Sequence, residues 1–172
     1  MLSRDEAALL LIDLQEGFRR YPSFDAVLEG CKRLVQAARL LQIPMLVTEQ
    51  YPKGLGPTAA ELAIEEGQPL EKTVFSAARA RGFDLFGRTQ AIVCGIEAHV
   101  CVSQTVLDLL HRGIEVHLPA DAVGSRHELD CERALQRLQL AGATVTTVEA
   151  ALFELLERAG TAEFKAVQRL IL

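Results

Sequence analysis

The stretch Ala91-Ile92-Val93-Cys94-Gly95-Ile96-Glu97-Ala98-His99-Val100-Cys101-Val102 restricts the possible folds of this chain more than any other. An apolar run of strand type passes a glycine and reaches, within a few residues, a cysteine that opens the helical pattern Val102, Val106, Leu109 and Leu110. That is a strand, a tight turn and a helix start. A cysteine at a helix N-terminus meets unpaired backbone N–H groups and the positive end of the macrodipole, which favour the thiolate. Cys101 is therefore a candidate nucleophile, although taken alone it reads more readily as a small buried hydrophobe.

The same unit repeats along the chain. Ala7 to Ile12 is a continuous apolar run ending at Asp13, as in a strand buried on both faces of a parallel sheet. Ser23 is placed to cap a helix whose apolar positions Phe24, Val27, Leu28, Cys31, Leu34, Val35, Ala38 and Leu41 keep helical spacing. Pro44 to Thr48 reads as a second strand, and the glycines and prolines from Glu49 to Pro57 predict a loop. A short helical piece near Thr58 to Glu66 leads to a brief third strand within Pro69 to Ser76, then a helix to about Phe86.

Gln90 to Cys94 is the fourth strand, and the helix after Cys101 stops at Gly113. Ile114 to Leu118 is the fifth, and Ser125-Arg126-His127-Glu128 has the form of a capping box before a helix ended by Gly142. Ala143 to Val148 is a sixth strand, with a helix from Glu149 to Arg158. In the last segment, Thr161 to Leu172, the stripe Phe164, Val167, Leu170 and Ile171 would cover the domain's own sheet or, slightly preferred, a second subunit.

Strands alternating with helices predict a parallel sheet with helices on both faces, and ligands beyond the carboxyl ends of its strands. With 172 residues the chain is expected to form a single domain spanning 1–172. A net charge of −5 without a Lys/Arg cluster argues against nucleic acid or an anionic membrane as partner and leaves a small molecule as the expected ligand. The N-terminus lacks a signal-peptide layout and no apolar run is long enough to span a bilayer, so a cytoplasmic location is expected. Cys31, Cys94, Cys101 and Cys131 show no C-x-x-C spacing and are expected as free thiols, the first, second and fourth in the core. The histidines His99, His111, His117 and His127 form no metal-binding motif, and no metal or cofactor is expected.

Asp13, Lys72 and Cys101 are distant in sequence, yet such a sheet can gather them at one edge. Cys101 would attack an electrophilic carbon, Asp13 would take the thiol proton and later activate water, and Lys72 would hold the carboxylate. Here the chain resembles the isochorismatase-like cysteine hydrolase superfamily. The matching pieces are Leu11-Ile12-Asp13-Leu14-Gln15 with Phe18, Glu71-Lys72-Thr73-Val74-Phe75-Ser76, Gly95 to Val102 with Thr105, and the pair Asp121-Ala122. The stretch Val47 to Gly56 resembles the isochorismatase-domain-containing branch, whose substrates are poorly defined.

The resemblance implies a three-layer α/β/α fold with a six-stranded parallel sheet of order 3-2-1-4-5-6. It also implies a catalytic triad of Asp13, Lys72 and Cys101, a cis peptide between Ile96 and Glu97, and an oxyanion hole from the backbone N–H groups of Glu97 and Cys101. Nicotinamidases of the superfamily carry Asp and His metal ligands after the second strand, whereas Glu49 to Glu71 contains no histidine. Phe18, Gln50, Tyr51, Phe75 and His99 are candidate pocket residues. The expected function is hydrolysis of a C–N bond in a small amide by a cytoplasmic homo-oligomer. The alternatives are a thiol hydrolase acting on an ester and a non-catalytic binding or scaffold protein that keeps the motif.

Overall fold

The computed structural model describes residues 1–65 and 68–172. Its strands, in chain order, are β1 Ala7–Ile12, β2 Met45–Gln50, β3 Leu70–Lys72, β4 Gln90–Ile96, β5 Glu115–Pro119, β6 Val123–Gly124 and β7 Thr144–Thr146. The α-helices are α1 Phe24–Leu41, α2 Pro52–Leu55, α3 Ser103–His111, α4 Glu128–Leu140, α5 Val148–Leu156 and α6 Ala162–Ile171. All strand pairs are parallel, in the order β3-β2-β1-β4-β5-β7, with the two-residue β6 joined to the end of β4. The expected order holds for the six longer strands; β6 is an addition that the sequence pattern does not show.

Every residue of β1 is buried, because alternate side chains enter cores on opposite faces of the sheet. Leu9 and Leu11 pack with α1, α5 and α6, while Ala8, Leu10 and Ile12 pack with α3 and α4. These are the three layers. The stripe on α6 covers this chain's own α1: Val167 is fully buried and Leu170 and Ile171 pack on the same cluster, so the subunit role preferred for it gives way.

Local signals fare unevenly. Gly113 and Gly142 end their helices with φ of +76° and +110°, in the left-handed region where a Cβ is costly. The two serine caps do not form, because Ser23 Oγ donates to Ser125 O at 2.9 Å and Ser125 Oγ pairs with His99 Nδ1 at 3.0 Å. The helix expected before Phe86 shrinks to a single 3₁₀ turn at Ala77–Arg79, since Gly82 and Phe86 take positive φ and interrupt it. The piece near Thr58 is likewise one 3₁₀ turn, Ala60–Leu62; its expected end at Glu66 lies outside the described residues.

Candidate active site

Asp13, Lys72 and Cys101 leave three strands at the same carboxyl edge. Asp13 follows β1 with φ +50°, unusual for a residue with a Cβ, and its carbonyl accepts from Gln15 N at 2.8 Å. Non-glycine residues in this region cost on the order of 1 kcal/mol or more and gather at functional sites. Lys72 closes β3. Cys101 lies in a wide π-helical turn, Ala98–Val102, between β4 and α3.

Two contacts hold that turn against its neighbours. Gly95, at φ +120°, passes so close to β1 that a Cβ there would stand 2.0 Å from Ile12 O, and only glycine fits. Thr105 Oγ1 donates to Cys101 O at 2.7 Å and accepts from Ala77 N at 2.9 Å, which ties the cysteine turn to the segment after Lys72. The Ile96–Glu97 peptide is cis. The Glu97 N–H makes none of the turn, loop or side-chain hydrogen bonds of the described residues.

The side chains of Asp13 and Lys72 are both 0% exposed and meet at 2.7 Å. The other carboxylate oxygen, Oδ1, accepts from Thr48 Oγ1 at 2.6 Å. Lys72 Nζ also donates to Gln50 Oε1 at 2.7 Å and Phe75 O at 3.1 Å, with Val74 O at 3.4 Å. A buried ammonium needs this many acceptors to offset its desolvation.

Cys101 is 6% exposed, and its sulfur lies 4.0 Å from Gln50 Oε1, at the outer edge of contact. Burial pushes the thiol up to about 12, the Asp13 carboxylate pushes the same way, and the Lys72 ammonium opposes both. The balance of these influences favours the neutral thiol. Desolvation and the neighbouring carboxylate thus oppose the thiolate that a helix N-terminus favours.

The five candidate pocket residues separate in space. Gln50 bridges Lys72 and Cys101 directly. Tyr51, 56% exposed, shares with Lys72 a cavity of about 330 Å³ that Lys53, Glu71 and Thr73 also line. Phe75 turns its ring to solvent and its carbonyl to Lys72, whereas Phe18 packs in the core with its ring centroid 5.3 Å from that of Tyr21. His99 pairs with Ser125 beside a second cavity of about 550 Å³ lined by Ser23, Arg126 and Cys131 among others. Cys31 and Cys94 are fully buried, and Cys131, partly buried, packs against the edge of the core. Among the described residues, no group of three or more His, Cys, Asp or Glu side chains is arranged to hold a metal ion, and no helix is long and apolar enough to cross a membrane.

Thr48 and Gln15 are site residues that the sequence reading passes over. Thr48 pairs with Ile12 across β1 and β2, so its place beside Asp13 follows once the strand register is known. Gln15 grips the Gln50 backbone from both sides, accepting from Gln50 N at 2.8 Å and donating to Gln50 O at 3.1 Å.

A three-layer α/β/α sandwich whose parallel sheet gathers an aspartate, a lysine and a cysteine at its carboxyl edge defines a protein of the isochorismatase-like hydrolase superfamily. The isochorismatase domain signature matches residues 7–150, and the chain belongs to that family. It is 42% identical to isochorismatase domain-containing protein 2A of Mus musculus over 97% of this chain and 83% of that protein. It is 44% identical to isochorismatase domain-containing protein 2 of Danio rerio, over 99% and 89% of the two chains. Its fold matches the structure of MAR1 ribonuclease from Caenorhabditis elegans with a TM-score of 0.90 at 41% identity, over 99% and 91% of the respective chains.

Proposed function

We propose that this chain is a cysteine hydrolase that cleaves a C–N bond of a small amide through a thioester on Cys101. The carrying observation is the fully buried Asp13–Lys72 ion pair, placed where its charges act on the Cys101 sulfur. Such a pair is costly to bury and gives a thiol both a proton acceptor and a compensating positive charge.

In this reading Asp13 takes the Cys101 proton as the sulfur attacks the amide carbon. The oxyanion is received by the backbone N–H groups of Glu97 and Cys101, a device in which loss of a single donor costs about 10²–10³ in rate. Collapse breaks the C–N bond, and protonated Asp13 returns its proton to the leaving amine. Asp13 then draws a proton from water, which attacks the thioester and releases the acid and the Cys101 thiol. Lys72 holds the Asp13 carboxyl group in place throughout.

The 6% exposure of Cys101 supports a slender substrate. The proposal extends to a cytoplasmic homo-oligomer, supported by the apolar surface that Tyr51, Val74 and Phe75 leave exposed near the site and read by light scattering. Ammonia release from a panel of small amides tests the activity, with Cys101→Ala as control. Ester and RNA arms belong in the same screen, the latter because the Caenorhabditis elegans protein bears the name ribonuclease. Turnover of an amide that vanishes in Cys101→Ala is expected. Activity that survives the substitution, or cleavage of RNA alone, would overturn the proposal.

A further inference from the structure

Lys72 Nζ has three protons, and its acceptors are Asp13 Oδ2, Gln50 Oε1 and Phe75 O at 2.7, 2.7 and 3.1 Å, with Val74 O at 3.4 Å. The ammonium's pull on the Cys101 sulfur is outweighed by burial and the Asp13 carboxylate. The sulfur faces Gln50 Oε1 at 4.0 Å, the same oxygen that the ammonium holds. An S–H group facing a carbonyl oxygen is favoured, whereas a thiolate there would meet the negative end of the amide dipole.

The amide cannot turn over. Its Nε2 donates to Thr73 O at 2.9 Å, and a flip would set that donor against the ammonium. Gln15 fixes the backbone beneath it through Gln50 N and Gln50 O. The oxygen is thus held between cation and sulfur by Thr73 at the amide and by Gln15 at the backbone.

We propose that Gln50 is a positioning residue that keeps Cys101 as a neutral thiol, by drawing a Lys72 proton to its own oxygen and away from the sulfur. The nucleophile is latent until Asp13 accepts its proton, which protects it from indiscriminate electrophiles. The inference rests on the proposed function only for the use of the thiol, whose protonation is measurable without turnover.

The test is iodoacetamide alkylation of Cys101 in the full chain, followed by peptide mass spectrometry between pH 7 and 10. Wild type is compared with Gln50→Met, which keeps the volume and removes the acceptor, and with Gln50→Glu, which keeps the shape and adds negative charge. Wild-type rates are expected still to climb at pH 10. Gln50→Met is expected to react at least about a hundred-fold faster at pH 8 and to bend toward a plateau by pH 10, as a fall of about two or more units from about 12 requires. Gln50→Glu is expected to react more slowly than wild type at every pH. A site that is merely loosened would speed labelling by one factor at all pH values with no plateau. That result, or movement of both variants in the same direction, overturns the inference; if Gln50→Met does not fold, the direction in Gln50→Glu decides it alone. Ammonia release measured in parallel separates the two claims, since a shifted profile without turnover sustains this inference and removes only the proposed reaction.

Discussion

Removing the ammonium should damage the fold more than removing the whole ion pair. In Lys72→Met the Asp13 carboxylate stays at 0% exposure and keeps Thr48 Oγ1 at 2.6 Å, but loses the cation at 2.7 Å. Breaking one side of a buried pair costs about 3–5 kcal/mol, most of it the penalty of the charge left behind. At ~2–4 °C per kcal/mol for a chain of this size, the thermal midpoint should fall by about 6–20 °C. Asp13→Asn with Lys72→Met leaves no buried charge, and should recover at least about 2 kcal/mol relative to the sum of the single changes. Denaturant unfolding of the four proteins reads this coupling. A single change costing under about 1 kcal/mol, or a double variant as unstable as the sum, would show that the pair is not desolvated as the geometry requires.

Two further outcomes follow from the same site. An unfolded chain loses the Cys101 proton near pH 9.0 while the folded site holds it to about 12, so this group leaves stability untouched below the first value and lowers it as pH rises between them. Cys101→Ala should therefore lose stability less steeply than wild type above pH 9, and identical pH profiles from denaturant unfolding would contradict the assigned protonation. Gly95→Ala would set a Cβ 2.0 Å from Ile12 O and should cost more than about 3 kcal/mol or prevent folding, read by circular dichroism and denaturant midpoint. A fully stable Gly95→Ala protein would mean that β4 does not approach β1 as closely as described.

Much of this was legible because the edge of a parallel sheet is written in residue order. Asp13 ends an unbroken apolar run, Lys72 lies in or beside a brief strand segment, and Cys101 follows a glycine that lets β4 lie against β1, so the three can converge once the strands alternate with helices. The order of the six longer strands was legible only through the family resemblance, since alternation with helices implies a parallel sheet but not the order of its strands. Hidden features are those set by partners remote in sequence. Ser23 and Ser125 look like caps, but one hydroxyl reaches Ser125 O and the other His99. Ala77 to Arg81 is rich in helix formers, yet the positive φ at Gly82 and Phe86 ends the helix at one turn. The environment of the Cys101 thiol is hidden for a related reason: helix position is visible in sequence, whereas the burial and the carboxylate that push the thiol up come from tertiary structure.

The most direct test of the account is mass spectrometry of the intact protein quenched in acid during turnover of an amide found in the screen. The predicted result is a mass increase equal to the acyl group, mapped to the peptide carrying Cys101 and released by hydroxylamine as a thioester is, with none in Cys101→Ala. Steady turnover with no covalent species in the wild type, matched by an active Cys101→Ala protein, would contradict it.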